Sequence, residues 1–152
     1  MTPPPVAGWP DGRTTQRAVT QVLHSVGHRF PDDSPRNHAA RSIPAKAAFQ
    51  PKLLFVALDD ERVVGTTMAG YDGHRGWFYS VAVDPDLQRR GIATAMVAHV
   101  EVMLAAMGCV KVNLQIRAGN ETVAAFYESL GYTAEPRVSM GKLLDASMDT
   151  SR

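Results

Sequence analysis

Val81-Ala82-Val83-Asp84-Pro85-Asp86-Leu87-Gln88-Arg89-Arg90-Gly91-Ile92-Ala93-Thr94 is the stretch that decides the fold. An almost continuously apolar run, 77–83, stops at Asp84-Pro85, and Gln88 to Ala93 then opens a long helix. A strand that apolar is a central strand covered on both faces. The first turn of a helix carries free N–H groups and the positive end of the helix dipole, which together suit an anion. Gly91 removes a side chain where a phosphate would approach the backbone, Ala93 keeps the next turn small, and Arg89 and Arg90 bring charge to the rim. The plainer alternative is a strand–turn–helix with two solvated arginines. Neither G-x-G-x-x-G nor a Gly-Lys-Ser/Thr loop occurs, so the dinucleotide fingerprint and the Walker A loop are both excluded.

The flanking sequence supplies the rest of an α/β unit. From about Arg90 to Met107, Ile92, Met96, Val100, Met103, Leu104 and Met107 recur as one helical stripe, closed by Gly108. Strand 110–116 follows, and the crossover predicts that strands 77–83 and 110–116 are parallel. Upstream, 53–58 and 63–71 read as an antiparallel pair turned by Asp59 to Arg62. Asp72 to Gly76 makes the next turn, which accounts for Asp72, His74 and Arg75 as hairpin chemistry. Thr14 or Thr15 caps a first helix reaching about Val26, with Val19, Val22, Leu23 and Val26 on one face. A second helix starts near Asp33 to Pro35 and is cut short by Pro44. Asn120 opens a helix ended by Gly131. Tyr132 and Thr133 start a strand, and 138–144 forms a last one. The Pro-rich segment 1–12 is expected to be flexible.

Composition sets the outer bounds. A chain of 152 residues reads as one domain, 1–152, large enough to build a core without staples. Hydrophobic residues at 45% and charged residues at 20% describe a globular protein. A net charge of +1 gives no pull toward nucleic acid or acidic membranes. Cys109 is the one cysteine, so an intrachain disulfide and a cysteine-based zinc site are excluded, and no metal is expected. Cys109 itself reads as a small buried apolar residue. No apolar run reaches membrane-span length and no export signal is evident, so a cytoplasmic compartment is the expectation.

Val83-Asp84-Pro85 with Gln88-Arg89-Arg90-Gly91-Ile92-Ala93 resembles motif A of the GCN5-related N-acetyltransferases, a Gln/Arg-x-x-Gly-x-Gly/Ala pattern. Leu114 to Asn120, followed by Ala125-Phe126-Tyr127-Glu128-Ser129-Leu130-Gly131-Tyr132, resembles motif B. The match runs from about 53 to 144, and Gly70 to Trp77 with Gly108 to Gln115 further resemble the YpeA-like branch. The family's first strand is not evident in the sequence.

The resemblance implies a mixed α/β sheet, splayed between strands 77–83 and 110–116 and flanked by about four helices. Acetyl-CoA would lie in the opening. Its pyrophosphate would rest on the N–H groups of Arg89, Arg90, Gly91, Ile92, Ala93 and Thr94, with Gln88 alongside. Its pantetheine would pair with Val81 and Val83, at a bulge in Val81-Ala82-Val83 that also polarises the thioester carbonyl. Asn120 would cap its helix and touch the pantetheine arm. Tyr127 would protonate the departing thiolate.

Gln115 departs from the pattern. Relatives that acetylate ribosomal-protein N-termini carry a Glu there as general base, and Gln cannot take a proton. Asp32 and Asp33 lie in the loop where the family builds acceptor specificity, although helix capping explains them too. Tyr79 and Ser80 occupy positions where relatives carry polar catalytic groups. The resulting expectation is an acetyltransferase joining acetyl-CoA to a primary amine in a ternary complex. The alternatives are a ribosomal-protein-type N-terminal acetyltransferase and a catalytically weak acyl-CoA sensor. A homodimer through the edge near 138–144 completes the list of expected partners.

Overall fold

The computed structural model describes residues 5–8, 22, 39–145 and 147, and side chains within 39–42 are left out. Five strands form one sheet in the order β1-β2-β3-β4-β5: β1 Val6–Gly8, β2 Leu54–Asp59, β3 Arg62–Tyr71, β4 Gly76–Val83 and β5 Val112–Leu114. Among the described residues, three helices accompany it: α1 Ala39–Phe49, α2 Ile92–Ala106 and α3 Glu121–Ser129. All pairings are antiparallel except β4 with β5, which is parallel as the crossover requires. This mixed sheet with flanking helices is the α/β arrangement expected from the sequence.

The sheet packs on both faces. Phe55, Ala69 and Phe78 meet Val97, Val100 and Leu104 of α2 and Tyr127 of α3 in one buried cluster. Ala57, Val64 and Val83 meet Ile92 and Met96 further along α2. On the opposite face Val56, Val63 and Ala82 pack with Ile43 of α1 and Val22. Phe55 and Val56 therefore enter different cores, as the two-residue period of a strand dictates. α2 crosses β3 closely because Gly65 has no side chain: a Cβ there would lie 3.0 Å from Met96 Cε.

Several boundaries differ from the sequence reading. The Pro-rich N-terminus supplies a strand after all, since Val6, Ala7 and Gly8 pair with Ala57, Val56 and Phe55. α1 runs through Pro44 instead of ending there, with the ring exposed to solvent. The bond its missing N–H would make is simply forgone. α2 begins at Ile92, so Arg90 and Gly91 belong to the loop. Met103 and Met107 are 37% and 46% exposed, and Val97 takes a place in the buried stripe. β5 is confined to three residues of the expected 110–116. Residues 132–144 form no strand; side chains of Asn113 in β5 and of Lys111 and Gln115 beside it, not a backbone ladder, tie them to the sheet. The expected helix near 14–26 lies outside the described residues, apart from helical Val22, and so do the 28–35 loop and the start of the second helix.

Candidate active site

β4 and β5 pair only at Gly76–Val112, Trp77–Asn113 and Phe78–Leu114, and beyond Phe78 they part. At that point Met68 pairs with Ser80 and Ala69 with Phe78, so Tyr79 is the extra residue of a bulge in β4. The bulge was expected within Val81 to Val83 and falls two residues earlier. Past it, Asp84 N–H donates to Val64 O at 2.8 Å. Bonded pairs alternate in an antiparallel ladder, so Ala82 faces β3 while the N–H and C=O of Val81 and Val83 turn to the open edge.

The turn after β4 is built by local chemistry. Asp84 Oδ1 accepts from Asp86 N at 3.0 Å and Oδ2 accepts from Arg62 Nη2 at 2.6 Å. Pro85 begins a single 3₁₀ turn, Pro85–Leu87. Arg89 then adopts φ +66° and Gly91 φ +79°, two left-handed residues with one between. This conformation swings the chain into α2 with Gly91 as its N-cap. Among the described residues, the N–H groups of Ile92, Ala93 and Thr94 find no acceptor, and the first bond of the helix is Ala95 N to Gly91 O. Nothing lies within 4 Å of a Cβ built on Gly91, and Gln88, Arg89 and Arg90 are exposed. Free N–H groups, two guanidinium groups and open space are features that suit an anion.

Asn120 caps α3, its side chain accepting from Val123 N at 3.3 Å. Tyr127 lies two turns on, only 9% exposed. Its ring meets Phe126 and Tyr132 edge-on at 5.0 and 5.5 Å. Burial pushes its phenol up to about 12. Gln115 projects from the end of β5 and donates to Ser139 Oγ at 2.7 Å. A cleft of about 1240 Å³ follows the outer side of β5 and is lined by Asn120, Tyr127, Gln115 and Ser139. Val81, Ala82, Val83 and the 88–94 loop do not line that cleft. Tyr79 and Ser80 sit at the bulge itself. Asp32 and Asp33 lie outside the described residues.

Other expectations fall into place around these. Asp72 Oδ1 accepts from His74 N and Arg75 N, both at 2.7 Å, which is hairpin chemistry. Cys109 is half-buried against the main core. The sequence reading passed over Lys46, Gln50 and Glu101. Lys46 Nζ lies 5.7 Å from the Tyr79 ring centroid, and Glu101 Oε2 accepts from Tyr132 Oη at 3.3 Å. Each acts across elements far apart in sequence, and no local pattern marks it.

The sequence profile of the Acetyltransferase (GNAT) family matches residues 21–132. The chain belongs to the GNAT acetyltransferase family. An acetyltransferase of Yersinia enterocolitica is 39% identical over 110 residues, 72% of this chain and 78% of its own length. The ribosomal-protein-S18-alanine N-acetyltransferase of Escherichia coli superposes with a TM-score of 0.65 at 21% identity, over 84% of this chain and 76% of that one. AAC(6')-Iy, solved with the bisubstrate analogue CoA-S-monomethyl-acetylneamine, superposes with a TM-score of 0.67 at 17% identity, over 91% and 97%. These two superpositions show a GNAT acetyltransferase fold. Family and relatives together make the chain an acyltransferase. No described helix is long and apolar enough to cross a membrane.

Proposed function

We propose that this GNAT acetyltransferase moves the acetyl group of acetyl-CoA directly to a primary amine, with both substrates bound at once and all the chemistry within one domain. The observation that carries the reading is the parting of β4 and β5 beside the left-handed turn at Arg89 and Gly91. An extended pantetheine fits the outward N–H and C=O groups of Val81 and Val83, and a pyrophosphate fits the free N–H groups that begin α2.

In this reading the neutral amine nitrogen bonds to the thioester carbon. An outward N–H of β4 receives the oxyanion. The nitrogen, positively charged after the attack, gives up a proton to water, and the carbon–sulfur bond then breaks with sulfur taking the electron pair. Tyr127 donates a hydrogen bond to that sulfur. Passing its proton fully, from a phenol at about 12 to a thiolate of ordinary value ~8.5, runs uphill by ~5 kcal/mol. Tyr127 therefore acts as a standing donor, and solvent completes the protonation. Holding both reactants in one groove supplies much of the rate.

Gln115 limits the acceptor. With no carboxylate at that position, the amine must arrive neutral or lose its proton to water. An α-amine of pKa ~8 needs only ~1.4 kcal/mol for this at pH 7, whereas a lysine amine needs nearly ~5. Small amines and α-amines fit best, and a lysine preference in kcat/KM would overturn this part. The decisive experiment is thermal denaturation with acetyl-CoA. At ~100 Kd the ligand adds ~2.7 kcal/mol. A rise in Tm that is weaker in Gly91→Glu is expected, and no rise at millimolar acetyl-CoA would remove the cofactor from the proposal.

A further inference from the structure

Toward α2 the sheet is packed by Phe78, Val97, Val100, Leu104 and Tyr127, and the acetyl-transfer reading puts the leaving sulfur beside Tyr127. The opposite face at the point where β4 parts from β5 is free to take the amine. The groups on that face at the point of parting are those around Tyr79.

Tyr79 is 61% exposed although it sits mid-strand. Its ring lies against Gly70, where a Cβ would come within 2.6 Å of Tyr79 Cε2. Lys46 reaches the same place from α1. Its Nζ stands 5.7 Å from the ring centroid and donates to Gln50 Oε1 at 2.8 Å. Gln50 in turn donates from Nε2 to Tyr71 O at 2.8 Å, which fixes α1 against the end of β3. Lys46 is half-buried, and burial holds its ammonium below the ordinary lysine value. No carboxylate among the described residues forms an ion pair with it. Asp72 acts electrostatically on the Tyr79 phenol, and its Oδ1 accepts from His74 N and Arg75 N, but it forms no ion pair with Lys46. Among the described residues, this half-desolvated cation, held by a neutral amide and an aromatic ring, has no anion paired with it.

We propose that the acceptor supplies that anion: the substrate is a primary amine that also bears a carboxylate, gripped by Lys46 while its apolar part lies on Tyr79. Resting on the acetyl-transfer reading, this deepens it by naming the substrate class. A polycationic amine would meet Lys46 as a like charge and is disfavoured by the same geometry.

The test uses the full chain, acetyl-CoA and two amines matched in shape, 3-(aminomethyl)benzoate and 3-(aminomethyl)benzamide, with wild type, Lys46→Gln and Lys46→Arg. Wild type is expected to favour the benzoate by roughly tenfold in kcat/KM, expressed in KM. Lys46→Arg keeps most of that preference and Lys46→Gln abolishes it. Equal use of the two amines, a preference that survives Lys46→Gln, or no transfer to either while acetyl-CoA still raises the Tm would each overturn the assignment. Loss of the Tm rise itself would instead overturn the acetyl-CoA reading.

Discussion

The ring of Tyr132 stands edge-on to that of Tyr127, centroids 5.5 Å apart and planes at 75°. The phenol of Tyr132 donates to Glu101 Oε2 on α2 at 3.3 Å, so the pair bridges the end of α3 to the long helix. Tyr132→Phe keeps the ring contact and loses only the hydrogen bond, and should cost about 1 kcal/mol. Tyr132→Ala removes both and should cost roughly 2–3 kcal/mol, below the range of a fully buried ring because Tyr132 is half-buried. Urea midpoints of the two variants check this. Equal losses would mean that the ring contact contributes nothing.

Stability should fall at alkaline pH for a specific reason. Burial raises the Tyr127 phenol from its ordinary 10 to about 12, so the folded chain favours the protonated form. That preference contributes fully below pH 10 and is lost as pH climbs through 12. Its size is roughly 2–3 kcal/mol. Tyr132 is raised as well, by burial first and then by the Glu101 charge, and it adds to the same alkaline loss. Denaturant midpoints between pH 9 and 12 should drop less in Tyr127→Phe than in wild type. Parallel drops would show that Tyr127 is not the group responsible. On activity, Tyr127→Phe removes the donor to the developing thiolate and should lower kcat by roughly 10²-fold with the KM for acetyl-CoA nearly unchanged. The wild-type profile should show no loss assignable to this phenol below pH 10.

Two left-handed residues at the head of α2 make opposite predictions. Gly91 has φ +79° and empty space where a Cβ would go, so Gly91→Ala meets conformational strain alone, about 1–2 kcal/mol. Arg89 already bears that strain at φ +66°. Arg89→Gly relieves it, offset by a more flexible unfolded chain, and should leave the Tm unchanged or slightly higher. Both variants should weaken the Tm rise given by acetyl-CoA. A destabilised Arg89→Gly would show that its side chain holds the turn by contacts.

Much of this was readable in the sequence because it depends on neighbours in the chain. The β4–turn–α2 unit announces itself through Asp84-Pro85, Gly91 and a helical stripe, and the parallel pairing of β4 and β5 follows from the crossover. What escaped reading depends on distant partners. Val6 to Gly8 have no strand-like composition; they are extended because β2 offers an edge to pair with. The bulge falls at Tyr79 because β3 and β4 must slip past each other there, and single-strand periodicity carries no sign of it. Residues 138–144 have the apolar content of a strand but no ladder partner, so Val138, Met140 and Leu144 stay exposed. Lys46 is an ordinary helix lysine until α1 is laid beside Tyr79.

The contact between Gly70 and Tyr79 allows the proposed acceptor face to be disturbed without touching the 88–94 loop. A Cβ at Gly70 would stand 2.6 Å from Tyr79 Cε2 and 3.1 Å from its oxygen, so Gly70→Ala must push the ring off the sheet. The ring is largely exposed and has room to swing, so the fold should lose no more than about 1 kcal/mol. The acceptor should lose its platform, raising the acceptor KM several-fold, while acetyl-CoA binding at the 88–94 turn stays as in wild type. Gly65→Ala is the matched control. It meets the flexible end of Met96 at 3.0 Å, on the opposite face of the sheet. That variant should affect stability and leave acceptor KM alone. Steady-state kinetics with each substrate varied in turn separates the two. If Gly70→Ala and Gly65→Ala alter acceptor KM alike, Tyr79 has no part in holding the amine.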